Sequence, residues 1–259
     1  MGTHTHQNKE FFNNEAANYD ARHEKTLDQI IQEIRARLDF IGVDWVADDD
    51  DNDNEGEDGK PSSGKTVRLL DYACGTGVVS RALAPYTTQC VGIDLSENMV
   101  AAYNARAENQ GLATEEMHAY QGNICDPEDP SPAALASPGF HNFDIAAVGL
   151  GFHHFDDPEL AATRLAERLR PGGVLLILDF LPHGKFDTHH PAAHTVTHHG
   201  FSEDQIKGIF TKAGVGKDFA LDEVSRDIKF NRPALADHNH DHGSSQMHRR
   251  LFLARGTKA

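Results

Sequence analysis

Three stretches of this 259-residue chain carry residues whose types and spacing suit chemistry. The first is LLDYACGTGVVS, residues 69–80, where an apolar run reaches Asp71 and then turns through Ala73, Cys74, Gly75, Thr76 and Gly77. Small residues at such a turn let backbone pass close to a ligand, and the helix that follows presents free N–H donors. The second is Asp94, which closes the next apolar run, TQCVGID, 19 residues after Gly75. An acid at that place in an α/β fold accepts hydrogen bonds from ribose hydroxyls, so turn and acid together point to a nucleoside cofactor. The third is GLGFHHFD, residues 149–156, where His153 and His154 follow another strand-like run. Histidine is the side chain best tuned to move a proton near neutral pH.

The elements that must hold these residues are legible as alternating strands and helices. Residues 26–40 place Leu27, Ile30, Ile31, Ile34 and Leu38 at helical spacing. From Thr66 onward, strand-like runs (VRLLDY, TQCVGIDL, residues 117–121, FDIAAVGL, VLLILDF) alternate with helices. One helix is capped by Ser96 and stopped at Gly111, and one is opened by Asp157-Pro158 and runs to Arg170. A third has Ser202 with Gln205 as a capping box and ends at Gly214. Two last strands are expected near 223–230 and 249–254. Such alternation predicts a doubly wound α/β sheet with ligands at the carboxyl ends of its strands.

Which nucleoside is narrowed by two positions. A dinucleotide site would want glycine where Ser80 stands, and it has no ammonium for Asp71 to meet, whereas a bound amino acid does. Asp71 therefore favours S-adenosylmethionine. At this point the sequence resembles the class I S-adenosylmethionine-dependent methyltransferases from Asn8 onward, most of all the small-molecule, quinone-biosynthesis type. LLDYACGTG, GIDLS, QGNI and LRPGGVLLI carry the likeness. The resemblance implies a mostly parallel, seven-stranded, Rossmann-like sheet with an antiparallel last strand and an N-terminal helical lid, FFNNEAANYDARHEK.

It further implies Asp71 at the methionine amine, Ala73, Cys74, Gly75 and Gly77 beneath the cofactor, and Asp94 on the ribose. Leu95 and Met99 would lie against the adenine, with Gly122, Asn123 and Ile124 at its edge and the Asn123 amide accepting from the adenine amino group. Gly149 and Leu150 would face the methionine side, and Tyr19 of the lid would close over the whole. Ala73 departs from the usual first glycine, and Asn123 from a frequent acid. The implied activity is methyl transfer to a small-molecule acceptor, with S-adenosylhomocysteine as product. An idle cofactor-binding regulator and a protein methyltransferase are the competing readings. His153 is the first candidate for base or substrate contact and His154 the second, and from a lid over the acceptor at 183–199 either His194 or His199 would face substrate.

Other features bound the reading. The segment 183–199 holds six of the 17 histidines, and His190, His194 and His198 are spaced by four. Pro191 and the β-branched 195–197 work against a helix there, so no metal is expected. GKPSSGKT, residues 59–66, matches a phosphate loop by letter, but a β-like run follows it where a helix is required. The acidic run also imitates a calcium loop whose twelfth position is Ser62 in place of a carboxylate. The formal net charge is −16, and residues 48–59 hold eight acids and no base, so half the charge sits in one run. The organisation expected is a lid segment 1–46, a disordered acidic insert 47–65 and a catalytic domain 66–259 that forms one globular unit with the lid.

A basic face is missing, which argues against nucleic acid. No apolar run reaches membrane-spanning length, and no secretory signal opens the chain. Cys74, Cys90 and Cys125 form no disulfide or zinc pattern. The cytoplasm is the expected compartment, with the nucleus left open, and a protein partner is allowed but not indicated.

Overall fold

A computed structural model describes residues 3–46, 64–184, 192–224, 228–231 and 246–259. The chain runs α1 (Thr3–Arg35), α2 (Leu38–Ile41), β1 (Arg68–Tyr72), α3 (Val78–Leu83), β2 (Gln89–Asp94), α4 (Glu97–Asn109) and β3 (Met117–Gln121). It continues with β4 (Phe143–Gly149), α5 (Pro158–Arg168), β5 (Leu169–Phe180), α6 (Glu203–Lys212), β6 (Lys217–Val224), β7 (Lys229–Asn231), β8 (Gln246–His248) and β9 (Leu251–Thr257). Seven strands form one sheet in the order β3-β2-β1-β4-β5-β9-β6, and β7 pairs with β8 apart from it. β1 to β5 are parallel, and β9 runs antiparallel to both β5 and β6.

Alternate residues of the central strands enter opposite cores, because strand side chains alternate in direction. Leu69, Cys90, Ile145, Leu176 and Leu253 pack on the side of α1 and α3. Leu70, Val91, Ala146, Leu175 and Phe252 pack on the side of α5 and α6. Both faces of the sheet are covered, which explains the nearly continuous apolar runs of its parallel strands.

The boundaries differ from the sequence reading at three places. The lid segment and residues 26–35 of the helix expected at 26–40 are one helix, α1, because Phe12, Ala16, Tyr19 and His23 continue the stripe of Leu27, Ile30 and Ile34 at steps of three and four, and the rest of that stretch turns at 36–37 into α2. α5 stops at Arg168, where Leu169 already pairs with Phe143 and the glycines after Pro171 join β5. β6 begins at Lys217, directly after the α6 cap, and is half-exposed as a sheet edge; β9 spans 251–257. The caps at Ser96, Asp157 and Ser202 form as the sequence predicts, the last as a complete capping box.

Residues 47–63, which include the whole acidic run with its calcium-loop look-alike and most of the phosphate-loop pattern, lie outside the described residues. The chain on either side of them meets, since Lys65 Nζ donates to the Trp45 carbonyl at 2.9 Å. Thr66 leads into β1 and not into a helix, so the phosphate-loop pattern lacks its context. No described helix is long and apolar enough to cross a membrane.

Candidate functional site

The glycine turn leaves β1 at Tyr72 and enters α3 at Val78. Three of its residues take positive φ: Ala73 (53°), Gly75 (51°) and Gly77 (90°). At Ala73 this conformation costs on the order of 1 kcal/mol, a strain the other two avoid by lacking a Cβ. The two glycines serve different ends. A Cβ on Gly75 would meet nothing within 4 Å, whereas one on Gly77 would fall 2.8 Å from the Tyr103 ring. Gly75 opens onto empty space; Gly77 is needed for packing.

Asp94 ends β2 beside that turn. Its Oδ2 accepts from the Gly75 N–H and its Oδ1 from the Ser96 N–H, each at 2.8 Å. Burial pushes its pKa up and these backbone donors pull it back. A third backbone donor, the Leu95 N–H, acts in the same direction.

Turn and acid border a cavity of about 280 Å³. Of the residues expected at the cofactor, Tyr19, Ala73, Cys74, Gly75, Asp94, Leu95, Met99, Asn123, Gly149 and Leu150 line it, and so does His154. Asp71, Gly77, Gly122, Ile124, His153 and His199 do not. Asp71 is buried and turned to Ser80, whose N–H and Oγ–H both donate to its Oδ2 (3.0 and 2.8 Å). Burial raises its pKa to about 7. A Cβ on Gly122 would strike Leu135, and Ile124 is fully buried in the core beside α5.

Asn123 faces the cavity with its polarity fixed. Its Oδ1 accepts from the Tyr72 hydroxyl and the Cys125 N–H, both at 2.9 Å. Both lone pairs are then taken, so the side chain offers the cavity its NH₂. The expectation from the sequence is an amide that accepts, whereas the free end of this side chain is its donor.

α1 roofs the cavity through polar contacts in its first half. Asn8 Nδ2 donates to the His154 carbonyl at 3.1 Å, and Lys9 pairs with Glu97 at 3.0 Å. Asn13 receives the Ser96 hydroxyl, and Asp20 receives the Thr76 hydroxyl (2.7 Å) and pairs with Arg106. Burial pushes the Tyr19 phenol up to about 12, so it stays neutral against Asp94. The second half of α1 is held by apolar packing of Leu27, Ile30, Ile31 and Ile34.

The two adjacent histidines part company in a short 3-10 turn, Phe152–His154. His153 is buried, with its Nδ1 at 2.9 and 3.1 Å from the two oxygens of fully buried Asp179, at the end of β5. The same carboxylate accepts the backbone N–H groups of His153 (3.1 Å) and Phe180 (2.6 Å). His154 lines the cavity, and its ring centroid lies 4.0 Å from that of His153 and 5.3 Å from that of Phe12. Residues 192–200 fold over this turn: Thr197 and His198 N–H groups donate to the His153 carbonyl at 3.1 and 3.0 Å. His199 sits behind it, 6.0 Å from His183 between ring centroids. A 3-10 turn, Ala193–Thr195, stands where His194 and His198 would have shared a helix face, and His190 is outside the described residues. Among the described residues no three His, Cys, Asp or Glu side chains group so as to hold a metal.

Sequence reasoning missed Asp179, Asn8, Thr76 and Cys125. Asp179 had a signal, an acid closing the apolar run VLLILDF; the cavity-lining Thr76 and Cys125 had none beyond their neighbours.

Residues 70–177 match a protein family described as "Methyltransferase domain". An uncharacterized methyltransferase of Schizosaccharomyces pombe is 31% identical over 178 residues, 66% of this chain and 60% of the relative. A ubiquinone biosynthesis O-methyltransferase of Cereibacter sphaeroides is 29% identical over 54% of this chain and 50% of the relative. The chain thus spans between half and 60% of these two curated relatives. Among solved structures, the complex of the Haloferax volcanii Trm112 methyltransferase activator with a methyltransferase aligns over 95% of this chain and 96% of the other, with TM-score 0.61 and 18% identity. At that identity the likeness is one of fold, and it extends to α1.

Proposed function

We propose that this chain, which carries a methyltransferase domain of the S-adenosylmethionine-dependent class, transfers a methyl group to a small-molecule acceptor inside the cavity under α1. The observation that carries the reading is the cavity itself, bounded by Gly75, Asp94 and Asn123 on the sheet and closed by a helix from the opposite side. A roofed pocket of about 280 Å³ suits a small ligand better than a protein side chain presented on a folded surface.

The residues fit the cofactor on their own chemistry. Asp94 accepts from the two ribose hydroxyls, Asn123 donates to the base, and the bare backbone at Gly75 gives the amino-acid portion room. When bound, the cofactor supplies an electrophilic methyl on a sulfonium sulfur. The chain's part is to align an acceptor with that methyl and to exclude water, and α1 does the excluding. No acid or base is needed at the methyl carbon; a protic acceptor must only lose its proton. His154 reaches the cavity to accept a hydrogen bond from that group, while His153, paired with Asp179, packs against the His154 ring.

Isothermal titration is the test. S-adenosylmethionine and S-adenosylhomocysteine should both bind, NAD should be silent, and Asp94→Ala should lose at least tenfold in affinity, about 1.4 kcal/mol. NAD binding tighter than either would overturn the reading.

A second reading, activity that needs a protein partner, draws on the Haloferax neighbour, which is in complex with an activator. It predicts cofactor binding by the isolated chain without turnover.

A further inference from the structure

His154 does more than border the cavity, an inference that rests on the cavity being the cofactor and acceptor site. Its Nδ1 lies 2.7 Å from the Thr195 carbonyl oxygen. A carbonyl only accepts, so Nδ1 carries the proton, and the neutral ring holds its lone pair on Nε2. The backbone groups of the residue are also engaged. Its N–H donates to Gly151 at 3.1 Å, and its carbonyl accepts from Asn8 (3.1 Å) and Thr197 (3.3 Å). Nε2 is the one polar atom His154 has left to offer the cavity. The ring is also held between His153 and the edge of Phe12, which opposes a flip that would exchange its nitrogens.

We propose that His154 is a specificity-determining residue, a fixed hydrogen-bond acceptor that selects methyl acceptors presenting an O–H or N–H and discriminates against those that present none. The discrimination is large where a site is built around one polar partner, because a ligand without the donor leaves that partner unpaired on a desolvated surface. The ionisable groups around the ring agree. Burial first, and then the neighbouring His153, hold the His154 pKa down at about 3, against small upward pulls from Thr195 and Asp179. Among the described residues that line the cavity, the other charged side chains are Lys9, Asp94, Asp126, Asp156 and Asp157, of which Lys9 pairs with Glu97 and Asp156 accepts from the Thr5 hydroxyl. The ring therefore stays an acceptor throughout the working pH range. In the transfer, the bond from the acceptor's oxygen or nitrogen to the methyl carbon forms as the carbon–sulfur bond breaks. The thioether S-adenosylhomocysteine leaves, and the acceptor's proton, held in the hydrogen bond to Nε2 during the transfer, is released to water with the methylated product.

The test uses the full chain labelled with nitrogen-15 histidine and saturated with S-adenosylhomocysteine, followed by long-range proton–nitrogen NMR. Phenol and anisole serve as probes, the same ring with and without a donor. His154 should show a protonated Nδ1 and a bare Nε2 with no titration between about pH 5 and pH 8.5. Phenol should shift the Nε2 resonance and anisole should not. In His154→Phe, which keeps a ring between Phe12 and His153 and identifies the resonance, phenol should bind no tighter than anisole. A protonated Nε2, titration with a midpoint near 6.5, or the lack of any phenol-specific shift would overturn the inference. Failure of S-adenosylhomocysteine to bind the wild-type chain would instead strike the functional reading beneath it.

Discussion

The Asp71 carboxylate holds Ser80 by two hydrogen bonds, 3.0 Å from the backbone N–H and 2.8 Å from the hydroxyl, and Tyr103 donates to that same hydroxyl oxygen at 2.7 Å. Three residues thereby tie the end of β1 to α3 and α4 directly beneath the glycine turn. An acid whose position suggests a cofactor contact works instead on the framework that sets the turn.

This arrangement has a pH signature. Burial raises the Asp71 pKa from 3.8 to about 7 in the folded chain. The native state thus binds this proton more tightly than the unfolded chain does. Stability from this group is fully present below about pH 4 and falls as pH rises toward 7. The upper limit of the loss is about 4 kcal/mol, at 1.36 kcal/mol per pH unit. Asp71→Asn keeps an oxygen for Ser80 and carries no charge, so it should flatten the profile. Urea denaturation at about pH 5 and pH 8.5 checks this. A mutant no more stable than wild type at the higher pH would show that Asp71 is not the titrating group.

Gly75 and Gly77 separate binding from folding. Gly75→Ala places a methyl in open space at a positive φ, so it should cost only about 1 kcal/mol of stability but protrude into the cavity proposed to hold the cofactor. Its affinity for S-adenosylhomocysteine should fall about tenfold or more. Gly77→Ala drives a Cβ to 2.8 Å from Tyr103, a residue with no exposed surface. It should therefore lose more stability, about 2 kcal/mol, than Gly75→Ala. Thermal melts with and without ligand give both quantities; equal behaviour of the two variants would refute the division of roles.

How much of this was legible depended on range along the chain. The glycine turn, the helix caps and Asp94 are local signals, and each lies where its spacing puts it. The burial of Asp71 was not legible because β1 is apolar on both faces. Its period of two places Asp71 on the face of Leu69, but nothing in the sequence says that α3 covers that face. His153 and His154 are neighbours whose fates diverge through Asp179, 25 residues beyond His154, so no window around them could tell the cavity residue from the buried one. Asn123 shows the same limit in part: its polarity is set locally by the Cys125 N–H, but the Tyr72 hydroxyl that takes the second lone pair comes from another strand.

The roof should open from one end. In its first half α1 is held by side-chain hydrogen bonds and ion pairs, many of them solvent-facing and each worth at most about 1 kcal/mol, together with Ala16 and the part-buried rings of Phe12 and Tyr19. In its second half Leu27, Ile30, Ile31 and Ile34 are buried, and each large side chain contributes roughly 2 kcal/mol. Residues 5–20 can therefore detach while 27–34 stay docked. Asp20 is the strongest of the early ties, since it receives the Thr76 hydroxyl and pairs with Arg106. Asp20→Ala should release S-adenosylhomocysteine several-fold faster while the association rate and the unfolding midpoint change little, because the lid governs escape more than fold. Stopped-flow measurement of ligand dissociation tests the rate. Hydrogen exchange should show amides of 5–20 exchanging well ahead of 27–34, and ligand should slow the first group alone. Uniform protection along α1, or an unchanged off-rate, would mean that the helix moves as one rigid piece and that the ligand leaves by another opening.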